Sequence, residues 1–147
     1  MTLTDAQRTF LEANHAAAMV TLRADGTPHA VRCGVALVEG KLWSSGIPNR
    51  VRTRHLRRDP RCTLFVFDQA YNYLSLETSI TILDGPEAAE MNVRLFSEMQ
   101  KGMQRPPGTL FWNGQPLTED QFLHTMRAEQ RLIYQFDEPT RVYGLLT

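Results

Sequence analysis

Short, β-prone segments cut by an acidic residue followed by glycine most strongly constrain how this chain can fold. Residues 17–23 (AAMVTLR) end at Asp25-Gly26, residues 28–38 (PHAVRCGVALV) end at Glu39-Gly40, and residues 41–46 (KLWSSG) follow at once. Such dipeptides supply the positive φ angles of two-residue hairpins, so consecutive strands pair antiparallel. In 28–38 the alternation puts His29, Val31, Cys33, Val35 and Leu37 on one face, with Ala30, Arg32, Gly34, Ala36 and Val38 on the other. Residues 62–67 (CTLFVF) predict a fourth strand. Residues 71–83 predict a fifth, with Leu74, Leu76, Ile80 and Ile82 inward and Tyr71, Tyr73, Ser75 and Glu77 opposite. The alternation resumes over 131–146 for a closing strand. Six strands joined mostly by tight turns make a small antiparallel barrel the expected architecture, mainly β with peripheral helices.

The helices carry their own signals. Thr4-Asp5-Ala6-Gln7 and Thr118-Glu119-Asp120-Gln121 are capping boxes, in which hydroxyl and amide satisfy the first free N–H groups of a helix. The first predicts a helix that buries Ala6, Phe10 and Leu11 and ends near Ala13 or Asn14. The second predicts a helix to about Arg127. Asn49 is the expected N-cap of a helix stopped by Asp59-Pro60. Gly85-Pro86 opens another, with Ala89, Val93 and Phe96 as its buried stripe and Gly102 as its end. Residues 103–117, with three prolines, Phe111 and Trp112, are expected to be a loop. It acts either as a lid or partner surface, or as a connector whose aromatics pack on the core.

Composition excludes several classes of function. At 147 residues and 42% hydrophobic, residues 1–147 suit one globular domain with its own core. Sixteen acidic and sixteen basic side chains cancel, which argues against a dedicated nucleic-acid binder. No apolar run nears the ~20 residues of a membrane span, and MTLTDAQRTF lacks the pattern of a secretion signal. Cys33 and Cys62 show no ligand spacing, and His15, His29, His55 and His124 are scattered. A cytoplasmic, metal-free protein is expected.

The neutral total hides a strong local field. Residues 50–61 (RVRTRHLRRDPR) hold Arg50, Arg52, Arg54, Arg57, Arg58 and Arg61 against one acid, Asp59. Guanidinium groups grip phosphate or carboxylate with two parallel hydrogen bonds. Cations in the first turn oppose the helix dipole, an arrangement that an anionic ligand at the helix N-terminus would compensate. Ser44, Ser45 and Asn49 add hydroxyl and amide partners. The alternative is a solvated helix face whose arginines pair with surface carboxylates. No nucleophile elbow, phosphate loop or dinucleotide fingerprint is present.

The string NRVRTRHLRRDPRCTLFVFD, the D-G-T-P-H turn at 25–29 and the closing R-V-Y-G-L at 141–145 together resemble one family. It is the split β-barrel flavin and deazaflavin oxidoreductases of the pyridoxamine 5'-phosphate oxidase-like superfamily, and within it the F420-dependent actinobacterial branch. The resemblance covers most of the chain in order. It implies a six-stranded antiparallel split barrel of the FMN-binding type and a homodimer with a cofactor site at the subunit interface. By the same resemblance, Arg50 and Arg52 would hold the cofactor's phosphate, and His55 stands where relatives carry Asn. Ser45 to Ile47 would flank the ring system on one side, with His29, Val31 and Arg32 on the other. Tyr71 and Tyr73 would reach into the neighbouring subunit's site. The implied activity is hydride transfer between F420 and a small organic acceptor, without an assigned catalytic residue. An FMN-dependent oxidase or reductase, or a non-catalytic cofactor carrier, are the alternatives. A haem-degrading relative fits poorly, since no candidate axial histidine lies near the C-terminus.

Overall fold

The computed structural model describes residues 2–145. Among them the elements run α1 (Asp5–Ala13), β1 (Ala16–Leu22), β2 (Pro28–Gly34), β3 (Ala36–Val38), β4 (Lys41–Gly46), α2 (Val51–Arg58), β5 (Arg61–Phe67) and β6 (Tyr73–Leu83). They continue with α3 (Ala88–Met99), β7 (Thr109–Trp112), β8 (Gln115–Thr118), α4 (Glu119–Ala128), β9 (Leu132–Phe136) and β10 (Arg141–Gly144). One antiparallel sheet runs in the order β2-β1-β5-β6-β9-β4-β3, with β10 also paired to β6. It curls around a core of Leu11, Met19, Val35, Leu64, Leu74, Leu76 and Tyr134. The expected antiparallel split barrel is what forms.

Its strand count exceeds the expected six for local reasons. Residues 28–38 break at Val35, whose N–H leaves the ladder to bond the His15 carbonyl at 2.9 Å. Residues 131–146 break at Asp137, whose N–H bonds the Ser79 carbonyl at 2.9 Å. Past the first break, Ala36 and Val38 keep to one face of β3. They are buried with Trp43, Leu95 and Ile133.

The segment 103–117 is the larger correction. Asn113 and Gly114, at φ +50° and +79°, close a hairpin of β7 and β8, with Trp112 opposite Gln115. Trp112 packs edge-on against Phe96 and Phe122, at 5.4 and 5.7 Å between ring centroids. The Gln100 side chain holds Phe111 by both backbone groups, at 2.8 and 2.9 Å. Of the two readings of this segment, the one in which its aromatics pack on the core is what the structure shows.

Both capping boxes form as expected. In α1, however, Gln7 and Leu11 are buried and Ala6 is exposed. α3 begins at Ala88, two residues past Pro86, and buries Ala88, Ala89, Asn92 and Leu95. Val93 and Phe96 are only partly buried, against α4 and the hairpin. No helix among the described residues is long and apolar enough to cross a membrane.

Candidate functional site

β2 and β3 end the strand path, so the barrel has a seam between β2 and the β3–β4 pair. The Ser44 hydroxyl crosses it, donating to the Gly34 carbonyl at 2.7 Å. The Pro48 turn sends the chain from β4 into α2, which lies over β1 at one end of this seam. Its N-cap is Arg50, not the expected Asn49, and no side chain caps it. The reason is Thr53, one turn inside the helix, whose hydroxyl donates to the Ile47 carbonyl at 2.7 Å and ties strand end to helix. Asn49 is exposed, and its carbonyl accepts a hydrogen bond from Arg54 at 3.0 Å.

The arginines divide into two groups. Arg57 pairs with Asp84 at 3.0 Å and Arg61 with Asp59 at 2.8 Å. Hydrogen bonds from Arg61 hold the Asp59 carboxyl down to about 2. Away from α2, Arg8, Arg94, Arg127, Arg131 and Arg141 also have carboxylate partners. Among the described residues Arg23, Arg32, Arg50, Arg52, Arg54, Arg58 and Arg105 have none. All but Arg105, which donates to the Thr109 and Gln100 carbonyls, lie on α2, its N-cap or the β1–β2 hairpin. Arg52, Arg54, Arg58 and Arg23 instead donate to the carbonyls of Ser45, Asn49, Leu22 and Pro28. Among the described residues no carboxylate forms an ion pair with these patch arginines, although Asp25 lies near enough to feel Arg23 and Asp59 near enough to feel Arg58. Asp25, the nearest acid at the hairpin, accepts the Thr27 N–H and hydroxyl at 3.0 and 2.6 Å.

Of the expected site residues, Arg50, Arg52, His55, Ser45, Ile47, His29 and Val31 are brought to this region. Arg52 is half-buried, with its guanidinium 5.6 Å from the centre of the Tyr134 ring. His55 is buried, its Nδ1 lying 2.9 Å from the Thr21 hydroxyl, and its ring meets His29 edge-on at 5.2 Å. Val31 packs on the core beside β1, whereas Arg32 points to the exposed face of β2. Ser45 donates to Asn92 Oδ1 at 2.5 Å, which links β4 to α3. Tyr71 and Tyr73 lie elsewhere, at the β5–β6 turn. Tyr71 is 98% exposed at φ +67°, and Tyr73 stacks on Phe65 at 5.1 Å.

Two buried polar atoms, Arg52 Nε and His29 Nδ1, have no hydrogen-bond partner among the described residues. An unsatisfied buried donor costs roughly 1–3 kcal/mol, and an anionic oxygen beside Arg52 would satisfy its N–H. The residues present thus fit an anionic cofactor. Burial pushes the Cys33 and Cys62 thiols up to about 11 and about 12, so neither is a thiolate nucleophile at neutral pH. Burial also lowers the His55 pKa, helped by His29, Arg58, Arg23 and Arg54.

That shift has a thermodynamic consequence. A histidine that resists protonation when folded contributes stability that is complete above its unfolded value of about 6.5, and that is lost as pH falls through the folded value. The denaturation midpoint is expected to fall as pH drops below 6.5, and to fall less in His55→Gln. Parallel pH profiles for the two proteins would refute this role.

Sequence reasoning missed Thr53, Tyr134 and Asn92. Nothing local marks them, since their importance lies in contacts with residues distant in the chain. Arg23 is the exception, because it lies two residues before the Asp25-Gly26 turn of the β1–β2 hairpin.

The comparisons with known proteins agree with this fold. The family model for pyridoxamine 5'-phosphate oxidase matches residues 3–120. No curated protein matches the chain at a significant level. Among solved structures, the conserved hypothetical protein Rv2991 from Mycobacterium tuberculosis is similar at 19% identity and a TM-score of 0.70, covering 98% of this chain and 85% of that one. An F420 reductase is similar at 19% identity and a TM-score of 0.66, covering 96% and 98%. General stress protein 26 from Bacillus anthracis is similar at 11% identity and a TM-score of 0.60, covering 93% and 88%.

Proposed function

Because this chain belongs to the pyridoxamine 5'-phosphate oxidase family, we propose that it is an oxidoreductase that holds the deazaflavin F420 and passes a hydride between it and a small organic acceptor. The observation that carries this reading is the cluster of arginines on α2 and the β1–β2 hairpin that form no ion pair with a carboxylate among the described residues. FMN presents one phosphate, which Arg50 and Arg52 suffice to grip. F420 carries a phosphodiester and a polyglutamate tail, a longer polyanion matched by the further charges of Arg23, Arg54 and Arg58. A solved structure of similar fold is an F420 reductase, which supports the same choice.

When bound, the deazaflavin supplies the hydride chemistry itself, and the protein supplies grip, orientation and shelter. Arg50 and Arg52 hold the phosphodiester at the N-terminus of α2. The end of β4, from Ser45 to Ile47, flanks the ring system, with His29 and Val31 of β2 across the seam. Arg32, on the outer face of β2, and the exposed Asn49 border the same region. No side chain is assigned as proton donor.

Phe67, Tyr73 and Tyr143 are 39%, 41% and 48% exposed, with Phe65 between them on the outer face of β5, β6 and β10. Exposed aromatic surface of this kind marks an association site. We assign it to a second copy of the chain, with Tyr71 and Tyr73 placed to border the partner's cofactor site.

Fluorescence titration with F420 and with FMN tests the reading, alongside light scattering. The expected result is a dimer that binds F420 at micromolar or lower concentration. A yellow protein that retains FMN and ignores F420 would replace the deazaflavin with the flavin. A monomer that retains neither would refute both.

A further inference from the structure

Tyr134 stands on β9 at the centre of the barrel, fully buried, and no part of the reading above uses it. Its hydroxyl bonds Thr53 Oγ1. Thr53 has one hydroxyl proton, and its other partner, the Ile47 carbonyl at 2.7 Å, can only accept. The direction is therefore settled by elimination: Tyr134 donates to Thr53, and Thr53 donates to Ile47. This relay joins the barrel core, the first turn of α2 and the end of β4 at one point. The face of the same ring carries the Arg52 guanidinium at 5.6 Å, within the range of a cation–π contact. Gly46 lies against the phenol end of the ring, where a Cβ would overlap it, so the ring has no room to shift toward β4.

We propose that Tyr134 is the positioning residue of the anion site: through Thr53 it sets the first turn of α2, and through its ring it holds Arg52 where the coenzyme's phosphodiester is gripped. The proposal rests on the reading that Arg52 contacts the coenzyme. Tyr134 itself touches neither coenzyme nor substrate.

A double-mutant cycle on coenzyme binding, read by fluorescence with F420 and FMN as probes and with thermal unfolding in parallel, tests it. Tyr134→Phe keeps the ring and removes the donor, and Thr53→Val removes its acceptor. Each is expected to raise Kd about tenfold, the worth of roughly one buried hydrogen bond. The double variant Tyr134→Phe/Thr53→Val should be no weaker than either single one, because both break the same relay. In an Arg52→Ala background, Tyr134→Phe should have a smaller effect on Kd than in the wild type, the remainder acting through Arg50 on the same turn. Thr53→Ser, which keeps the relay, should bind like the wild type, so loss of folding in another variant does not leave the question open. Wild-type affinity in Tyr134→Phe and Thr53→Val, while Arg52→Ala still weakens binding, would overturn the positioning role and leave the functional reading standing. So would an undiminished effect of Tyr134→Phe in the Arg52→Ala background. Wild-type affinity in Arg52→Ala itself would instead remove Arg52 from the functional reading.

Discussion

Replacing Arg50 and Arg52 together with alanine is expected to weaken coenzyme binding by at least about 3 kcal/mol, roughly two orders of magnitude in Kd. Hydrogen bonds from charged donors to an anion are worth roughly 1.5–3 kcal/mol each. Arg52 brings a buried Nε–H with no hydrogen-bond partner among the described residues. Arg50, exposed at the N-cap with no side-chain hydrogen bond among the described residues, contributes toward the lower end of that range, since solvent screens it. The matching control is Arg57→Ala/Arg61→Ala. Those two guanidinium groups already face Asp84 and Asp59, so their removal should change Kd less than threefold. Equal losses in the two double variants would mean that only net charge matters and that the site has no defined geometry. Raising the salt concentration should weaken the wild type more than Arg50→Ala/Arg52→Ala, because screening acts on the charges that remain.

Gly46→Ala is expected to be among the most destabilising single substitutions in the chain, at about 3 kcal/mol. A Cβ there would lie 2.5 Å from Tyr134 Cε2 and closer still to Cζ and the hydroxyl. The ring is fully buried, its hydroxyl is committed to Thr53, and Arg52 covers its face. Relief therefore requires moving either β4 or β9, which are paired through Gly46 and Leu132. For a chain of this size the loss corresponds to a fall of about 6–12 °C in the thermal midpoint. Gly34→Ala supplies the contrast. Its Cβ would meet the Met99 sulfur at 2.9 Å, the flexible end of a side chain that can turn aside, so a cost below about 1 kcal/mol is expected. If the two substitutions cost the same, the close approach of Gly46 to Tyr134 is not what holds this end of the barrel.

These two expectations concern different kinds of information in the chain. Both capping boxes, the Asp25-Gly26 and Glu39-Gly40 turns and the alternation of Leu74, Leu76 and Ile80 were legible as they stand. Each is a hydrogen bond or a periodicity completed within a few residues. So was the arginine run, which left an anionic ligand and a solvated helix face as its two readings. The Asn113-Gly114 turn is equally local, yet the prolines beside it obscured the strands on either side. Small shifts had one cause: Arg50 caps α2 because a threonine inside the helix already holds Ile47, and Val35 leaves its ladder because His15 offers a carbonyl.

Which arginines matter was a different question, and one that no local rule could answer. Arg57 and Arg58 are neighbours in an identical setting, yet one is neutralised by Asp84, 27 positions away. Thr53 and Tyr134 stand 81 positions apart, and neither has a neighbour that hints at the other. Hydrogen-bonding and hydrophobic periods act over one turn or one hairpin, so residue order alone carries them to the fold and to the local concentration of positive charge. Neutralising a charge or seating a ring under a guanidinium requires distant segments to meet, and those meetings exist only once the barrel has closed.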